Sequence, residues 1–378
     1  MAKVLFVLVL SITMLVLHNV KAQVPAIYIL GDSTADVGTN NFLLESKFAV
    51  NFPPNGVDFP FSIPTGRFSN GLNSADFLAI LMGLKISPPP FLSLLSNEKL
   101  LRFHSFIGIN FASGGSGILD ITGKSMTVMK LGKENIPKGV PLRTQRDVVS
   151  LEEQVQQFKT VHFIVEAAMG LQEAKKYLSK SLFFISIGSN DIFEYYHSKT
   201  SVPKQKFRYG LNVKFLNSFY MQELLKLGAR KFGIISVPPI GCCPSQRIFN
   251  GTGGCLEELN EHARAFHSST HSLMSKLSLE YQDMKYSIGN AYEMTVNVIE
   301  NQFAFGLNNV VSACCGGGKL NGEEICSPTA NLCSNRSEYL FWDLYHPTQK
   351  ASQLAAFTLF GGEKRFVAPI NFAELAKA

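Results

Sequence analysis

Five apolar runs punctuate the chain, and each stops at glycine, proline or a polar cluster. Residues 26–30 are apolar, β-branched and aromatic, and read as a buried strand that ends at Gly31-Asp32-Ser33. Residues 108–112 form a second strand, closed by Ser113-Gly114-Gly115-Ser116-Gly117. Residues 181–187 form the clearest one, ending at Gly188-Ser189-Asn190-Asp191. Residues 230–237 stop at Pro238-Pro239, and residues 286–289 make a short last strand. Helical periodicity fills the intervals: residues 75–84 behind a Ser74 cap, 148–158, 165–178, 211–227 stopped by Gly228, 255–279, and 348–360 opened by Pro347. Residues 40–72 and 122–145 show neither period and read as long loops. Strands alternating with helices predict an α/β fold, three layers α/β/α, around a central parallel sheet of about five strands.

The first residues follow a different logic. Lys3 precedes a largely apolar run of fourteen residues, 4–17, and Val20-Lys21-Ala22 supplies small residues for a signal peptidase. The run is short for a membrane span. The expected organisation is a signal peptide over residues 1–22 and a single domain over 23–378, secreted to the extracellular space, with the cell wall as its setting. Losing Lys3 and Lys21 lowers the net charge from +6 to +4. That charge is modest and dispersed, which argues against nucleic acid as a partner. No second long apolar run appears, so no stable membrane insertion is expected, and the chain is expected to act as a monomer. All seven cysteines follow position 240, without a C-x-x-C pair, and in a secreted chain they predict disulfides rather than a metal site. Seven is odd, so one thiol is spare. The sequons Asn250-Gly251-Thr252 and Asn335-Arg336-Ser337 lie among these cysteines and mark surface loops.

In a parallel sheet the carboxyl ends of the strands share one edge, where ligands bind. Ser33, Gly115 and Asn190 each follow a strand end and can converge there. Ser33 reads either as a nucleophile or as a helix N-cap in an ordinary turn. Asp343, three residues before His346, reads either as the carboxylate that orients a general base or as a helix-start residue beside an exposed histidine. Other candidates fail on their spacing. Gly123-Lys124-Ser125 lacks the earlier glycine of a phosphate loop, and no G-x-S-x-G elbow occurs. The remaining histidines lack metal-ligand spacing.

Several blocks in fixed order carry a resemblance. They are Gly31-Asp32-Ser33-Thr34 through Asn41, Pro64-Thr65-Gly66-Arg67-Phe68, Asn110 to Gly117, Ile187-Gly188-Ser189-Asn190-Asp191, Pro239-Ile240-Gly241-Cys242, Ala313-Cys314-Cys315-Gly316 and Phe341-Trp342-Asp343-Leu344-Tyr345-His346-Pro347. The chain resembles the secreted plant-type GDSL esterase/lipases of the SGNH-hydrolase superfamily, from about residue 26 to 357. The resemblance implies a flavodoxin-like sheet and a serine esterase acting on acyl lipids or acylated wall components. It implies Ser33, Asp343 and His346 as catalytic residues. It also implies Ser33, Gly115 and Asn190 as the oxyanion hole, and no metal or organic cofactor. Two other activities share this sequence: an acyltransferase using the same acyl-enzyme, and an idle wall-binding protein on the same scaffold. Thr34 stands where the family motif has leucine, and Cys243 is an extra cysteine beside the usual Cys242. Cys255 is therefore expected to pair with Cys242 or Cys243, and Cys314, Cys315, Cys326 and Cys333 among themselves.

Overall fold

The computed structural model describes residues 24–44, 46–119, 122–123, 147–197 and 220–378. Strands β1 (Ile27–Gly31), β2 (Gly108–Asn110), β3 (Leu182–Ser186), β4 (Lys231–Ile235) and β5 (Lys285–Gly289) pair in parallel, in the spatial order β5-β4-β3-β1-β2. Two small pairs follow, β6 (Asn309–Ala313) with β9 (Tyr339–Phe341) and β7 (Cys315–Gly316) with β8 (Asn331–Leu332). A last strand, β10 (Val367–Ala368), adds an antiparallel edge to β5. Among the described residues the sheet thus has six strands, against the expected number of about five. The extra one is two residues long and carries no period to read.

Register places the strand ends in a row. Gly31 lies beside Ser186, Ser186 beside Ile235, and Ile235 beside Gly289. The chain passes from β1 to β2 on one side and then returns to β3 on the other, so β1 borders the switch point of the sheet.

Alternate residues of the strands feed two separate cores. Tyr28, Leu30, Phe183, Ile185, Phe232 and Ile234 face α2 (Leu151–Met169), α3 (Leu171–Lys180), α5 (Met221–Lys226) and α6 (Glu257–Glu280). Ile27, Ile29, Leu182 and Phe184 face α1 (Ser74–Leu81), α8 (Gln349–Gly361) and α9 (Phe372–Lys377), with Met294 of α7 (Ala291–Glu300) joining them. The remaining labelled helix, α4 (Ser189–His197), starts just after β3. Tyr28 is fully buried among aromatic rings, 5.0 Å from Phe158, and its hydroxyl donates to the Ser105 carbonyl at 2.7 Å. A buried phenol needs that partner.

Helix ends differ from the sequence expectation for local reasons. Asn73, not Ser74, caps α1: its side chain accepts from the Asp76 amide while Asp76 answers to the Asn73 amide. Thr348 caps α8, which leaves Pro347 just outside the helix. The expected gap between residues 158 and 165 is helical, because Val161 and His162 continue the buried face of α2. The real break is Gly170, at φ +80°, between α2 and α3. Residues 1–22, the stretch 124–146 and residues 211–219 of the expected fourth helix lie outside the described residues, and the described remainder of that helix holds α5.

The cysteines resolve the open choice. Cys242 pairs with Cys255, Cys314 with Cys333 and Cys315 with Cys326, leaving Cys243 free and buried. The Cys243 Sγ lies 3.6 Å from the Tyr345 carbonyl oxygen, directed at the loop of Asp343 and away from Cys255. Burial pushes its thiol up to about 12. A thiol that is both neutral and inaccessible is inert. Native protein is expected to give no reaction with a thiol reagent at neutral pH, and one thiol per chain after denaturation without reductant. Rapid labelling of the folded protein would contradict this environment.

Candidate active site

The turn after β1 is held on every side. The Asp32 amide extends the β1–β3 pairing by donating to the Ser186 carbonyl at 3.0 Å. The Asp32 carboxylate accepts from the Thr34 amide at 3.0 Å and the Thr34 hydroxyl at 2.8 Å, and that hydroxyl lies 2.9 Å from Ser186 Oγ. Thr34 thus ties the turn to the neighbouring strand end, which the leucine of the family motif could not do. Burial pushes the Asp32 carboxyl up to about 6, against the two Thr34 donors and the nearby His346. Ser33, between them, is 8 % exposed and lines a large cavity at the sheet edge.

From the far end of the chain, the segment after β9 delivers His346. Its Nε2 lies 2.7 Å from Ser33 Oγ, and its Nδ1 lies 2.8 and 2.9 Å from the two oxygens of Asp343. Asp343 Oδ1 also accepts the backbone amides of Tyr345 at 2.9 Å and His346 at 2.8 Å, so the carboxylate shapes the loop that carries its own partner. Burial alone would raise the Asp343 carboxyl; the charge and hydrogen bond of His346, with the two amides, hold it below the ordinary value. The Phe68 ring packs 4.8 Å from the imidazole. A hydroxyl, an imidazole and an orienting carboxylate in this sequence of contacts have the geometry of an activated nucleophile.

Gly115 and Asn190 line the same cavity. Gly115 has φ +81°, and a Cβ there would come within 2.9 Å of Val148. Only glycine suits that backbone. The preceding amide, of Gly114, is fixed by Asp36 Oδ2 at 2.8 Å. Asn190 lies in the first turn of α4, and its Nδ2 donates to the carbonyl of Ser116, the residue after Gly115, at 2.8 Å. A carboxamide nitrogen has a second proton, which leaves one for a ligand. The structure brings all five predicted residues, Ser33, Gly115, Asn190, Asp343 and His346, to one cavity.

Three supporting residues escaped the sequence reading. Gln154 on α2 is fully buried: its Oε1 accepts from the Gly31 amide at 2.8 Å, and its Nε2 donates to the Gly31 carbonyl at 2.9 Å and to Ser116 Oγ at 3.2 Å. One side chain therefore connects the strand end before Ser33 with the loop of Gly115. The available signal was a glutamine inside the apolar stripe Leu151, Val155, Phe158. Asp191 accepts from the amides of Ile118 at 2.8 Å and Leu119 at 2.9 Å and from Thr122 Oγ1 at 2.7 Å, fixing the chain beyond Gly115 to α4. Arg67 pairs two-pronged with buried Asp76 at 2.7 and 2.8 Å. Among the described residues no group of three or more His, Cys, Asp or Glu side chains is placed to hold a metal ion.

A family model described as GDSL-like Lipase/Acylhydrolase matches residues 27–357. A GDSL esterase/lipase of Arabidopsis thaliana is 37% identical over 370 residues, covering 94% of this chain and 90% of that protein. A second from the same plant is 34% identical over 98% of this chain and 95% of its own length. A third is 34% identical over 88% and 87%.

Two outcomes follow from the buried polar groups. Gln154→Leu leaves the Gly31 amide without its partner, while the Gly31 carbonyl keeps the Ser113 amide at 3.1 Å. The orphaned amide costs about 1–3 kcal/mol and should lower the thermal midpoint by a few degrees. A change within error would show that Gly31 is held by other means. Asp32 binds its proton more tightly in the folded state, near 6, than its ordinary 3.8. Its contribution to stability is therefore complete below its ordinary value and is lost as pH rises through about 6. Asn at this position does not titrate. Relative to wild type, Asp32→Asn should gain about 2 kcal/mol between about pH 4.5 and about pH 8, measured by denaturant unfolding. A pH-independent difference would refute the raised carboxyl.

Proposed function

The chain belongs to the GDSL-like lipase/acylhydrolase family and is a carboxylic ester hydrolase, and from that premise we propose that it works through a Ser33–His346–Asp343 acyl-enzyme mechanism. The observation that carries the reading is the unbroken contact chain Ser33 Oγ, His346 Nε2, His346 Nδ1, Asp343, at 2.7 and 2.8 Å. Ser33 attacks the ester carbonyl while His346 takes the hydroxyl proton at Nε2. Asp343 holds the tautomer with its proton on Nδ1 and stabilises the imidazolium that forms. The negative charge that develops on the carbonyl oxygen is met by the amides of Ser33 and Gly115 and by the Asn190 carboxamide. Each such donor is worth about 3–4 kcal/mol at the transition state. His346 then returns its proton to the departing alcohol, the alcohol leaves, and water repeats the sequence to free the acid and Ser33. These steps call for no metal or organic cofactor.

The substrates we assign are acyl lipids or acylated wall components, and the protein acts outside the cell after removal of residues 1–22. Three disulfides support that setting, since such bonds persist in oxidising compartments. Among the described residues no helix is long and apolar enough to cross a membrane. Asn335, the acceptor of the second sequon, is exposed, as glycan attachment requires. Every group assigned to the reaction comes from one chain, which supports action as a monomer over a single domain, residues 23–378.

The division of labour gives the test. Ser33→Ala and His346→Ala should each abolish hydrolysis of p-nitrophenyl esters, and the double variant should lose little more than either. Asn190→Ala should keep phosphonate labelling at Ser33 while kcat falls about 10²–10³-fold. Near-normal turnover by Ser33→Ala, or phosphonate on another serine, would overturn the mechanism.

A further inference from the structure

Phe61 is the most exposed large apolar side chain among the described residues, at 94 %. Its backbone lies in the left-handed region, at φ +63° and ψ +17°, and Ser62 follows it there at φ +52°. Two consecutive residues of that kind make a tight turn that ordinarily takes Asn-Gly. A phenylalanine in it is strained, and such strain persists where the surroundings enforce it for a purpose. Here they do enforce it. The Ser62 amide donates to the Phe59 carbonyl at 2.7 Å and its hydroxyl to the Val57 carbonyl at 2.9 Å. The base of the loop is joined to the returning chain, the Gly56 amide donating to the Ser69 carbonyl at 2.9 Å and the Asp58 amide to the Asn70 carbonyl at 2.6 Å. The Arg67 guanidinium lies 5.0 Å from the centre of the Phe59 ring. The fold thus holds one aromatic ring clear of the protein on a rigid mount.

The segment stitched to that mount is the second sequon. Arg336, its middle residue, binds Asp58 two-pronged at 2.6 and 2.8 Å, and Asn70 Nδ2 donates to the same carboxylate at 2.6 Å. Asn335 therefore stands one residue from the clamp on its side, and Phe61 stands three residues from it on the other. Asn335 is exposed, and its Oδ1 accepts from the Ser337 amide at 3.3 Å and the Ser337 hydroxyl at 2.7 Å. Its Nδ2, the atom to which a glycan is joined, has no hydrogen-bond partner among the described residues. The first sequon is different: Asn250 is half-buried, and its Nδ2 donates to the Cys255 carbonyl at 3.2 Å.

A β-linked N-acetylglucosamine carries its ring substituents equatorially, so each face of the sugar is a patch of C–H bonds. The electron-rich face of an aromatic ring takes up such a patch. We propose that an N-glycan on Asn335 folds over Phe61, its first sugar packed on the ring, so that the sugar becomes part of the 56–64 loop. The bond from Nδ2 to the sugar C1 replaces one N–H, and the sugar comes from a lipid diphosphate donor that leaves as the diphosphate. The assignment rests on secretion of the chain, and is independent of the chemistry at Ser33. A sugar chain rooted at this spot stands between Phe61 and any flat surface, which favours the glycan over a membrane as the occupant. The chain braced in this way runs on to Phe68, packed 4.8 Å from the His346 imidazole. The sugar thus steadies one wall of the site from outside.

The test uses the full chain secreted from a eukaryotic host, with Asn250→Gln so that Asn335 holds the remaining sequon. Peptide mapping before and after enzymatic deglycosylation should find sugar on Asn335. Thermal midpoints are then compared for the intact glycan, for the glycan trimmed to a single N-acetylglucosamine, and for the stripped protein. Trimming should leave the midpoint unchanged, and stripping should lower it by a few degrees. Phe61→Gly removes the ring and suits the left-handed backbone, whereas Phe61→Ala removes the ring alone. For both variants the change in midpoint should be more unfavourable, by a few degrees, in the trimmed protein than in the stripped one. An unmodified Asn335, or equal effects of the Phe61 variants with and without sugar, overturns the proposal. Binding to phosphatidylcholine vesicles that is lost in Phe61→Ala, alongside equal midpoint effects, assigns the tip to a lipid surface and overturns it too. Each of these results leaves the Ser33 mechanism standing, since that is judged by turnover.

Discussion

Gly31 is the fixed point to which the rest of the site is referred. Its amide and carbonyl are both engaged by Gln154, its neighbour across the sheet is Ser186, and the next amide after it, that of Asp32, also reaches Ser186. A strand end usually frays into solvent. This one is bonded on both sides and sealed from below by α2, so the serine two residues on has almost no freedom left to lose. Preorganisation of this kind is what lets a weak nucleophile such as a hydroxyl meet its base at hydrogen-bond distance without rearrangement. The loop of Gly115 shares the same anchor, because Gln154 also touches Ser116 Oγ and Asn190 holds the Ser116 carbonyl.

His346 is anchored by different means. It comes from no strand of the large sheet. It follows β9, and that segment is bonded to the disulfide-linked region: the Cys314 amide donates to the Phe341 carbonyl at 3.0 Å and the Cys315 amide to the Trp342 carbonyl at 2.7 Å. Trp342 is fully buried against those disulfides, and its indole N–H donates to Asn55 at 2.9 Å. The Trp342 amide then donates to the His346 carbonyl at 2.7 Å, closing the loop that Asp343 braces from inside. The cysteines thus do for His346 what the parallel sheet does for Ser33.

Much of this was written openly in the chain. Ile27–Gly31 and Leu182–Ser186 are apolar runs with glycine or a polar cluster behind them, and period alone finds them. Ser33, Gly115 and Asn190 could be proposed because strand ends in a parallel sheet share an edge. Asp343 and His346 were legible as a pair only because three residues separate them. What stayed hidden depends on contacts between distant segments. Gln154 looks like one more polar residue on a helix until its partners are seen 123 residues away. Asn73 displaced Ser74 as the cap because its side chain and that of Asp76 satisfy each other, a competition that residue preference does not decide. The strand Val367–Ala368 is too short for any pattern and exists because β5 offers it an edge. The choice between Cys242 and Cys243 turned on the direction of one Sγ.

The separation of Ser33 from His346, 313 residues, bears on the life of the protein before it is finished. The parallel pairing of β1 with β3 already joins segments about 150 residues apart, and contacts of such long range form late and slowly. His346 comes later still, after the cysteine-rich stretch of residues 314–333 has been synthesised. A partly synthesised chain therefore carries Ser33 for most of its synthesis without His346. On the proposed mechanism, completion of the chain and the onset of reactivity coincide, and a chain cut short before residue 346 is left inert.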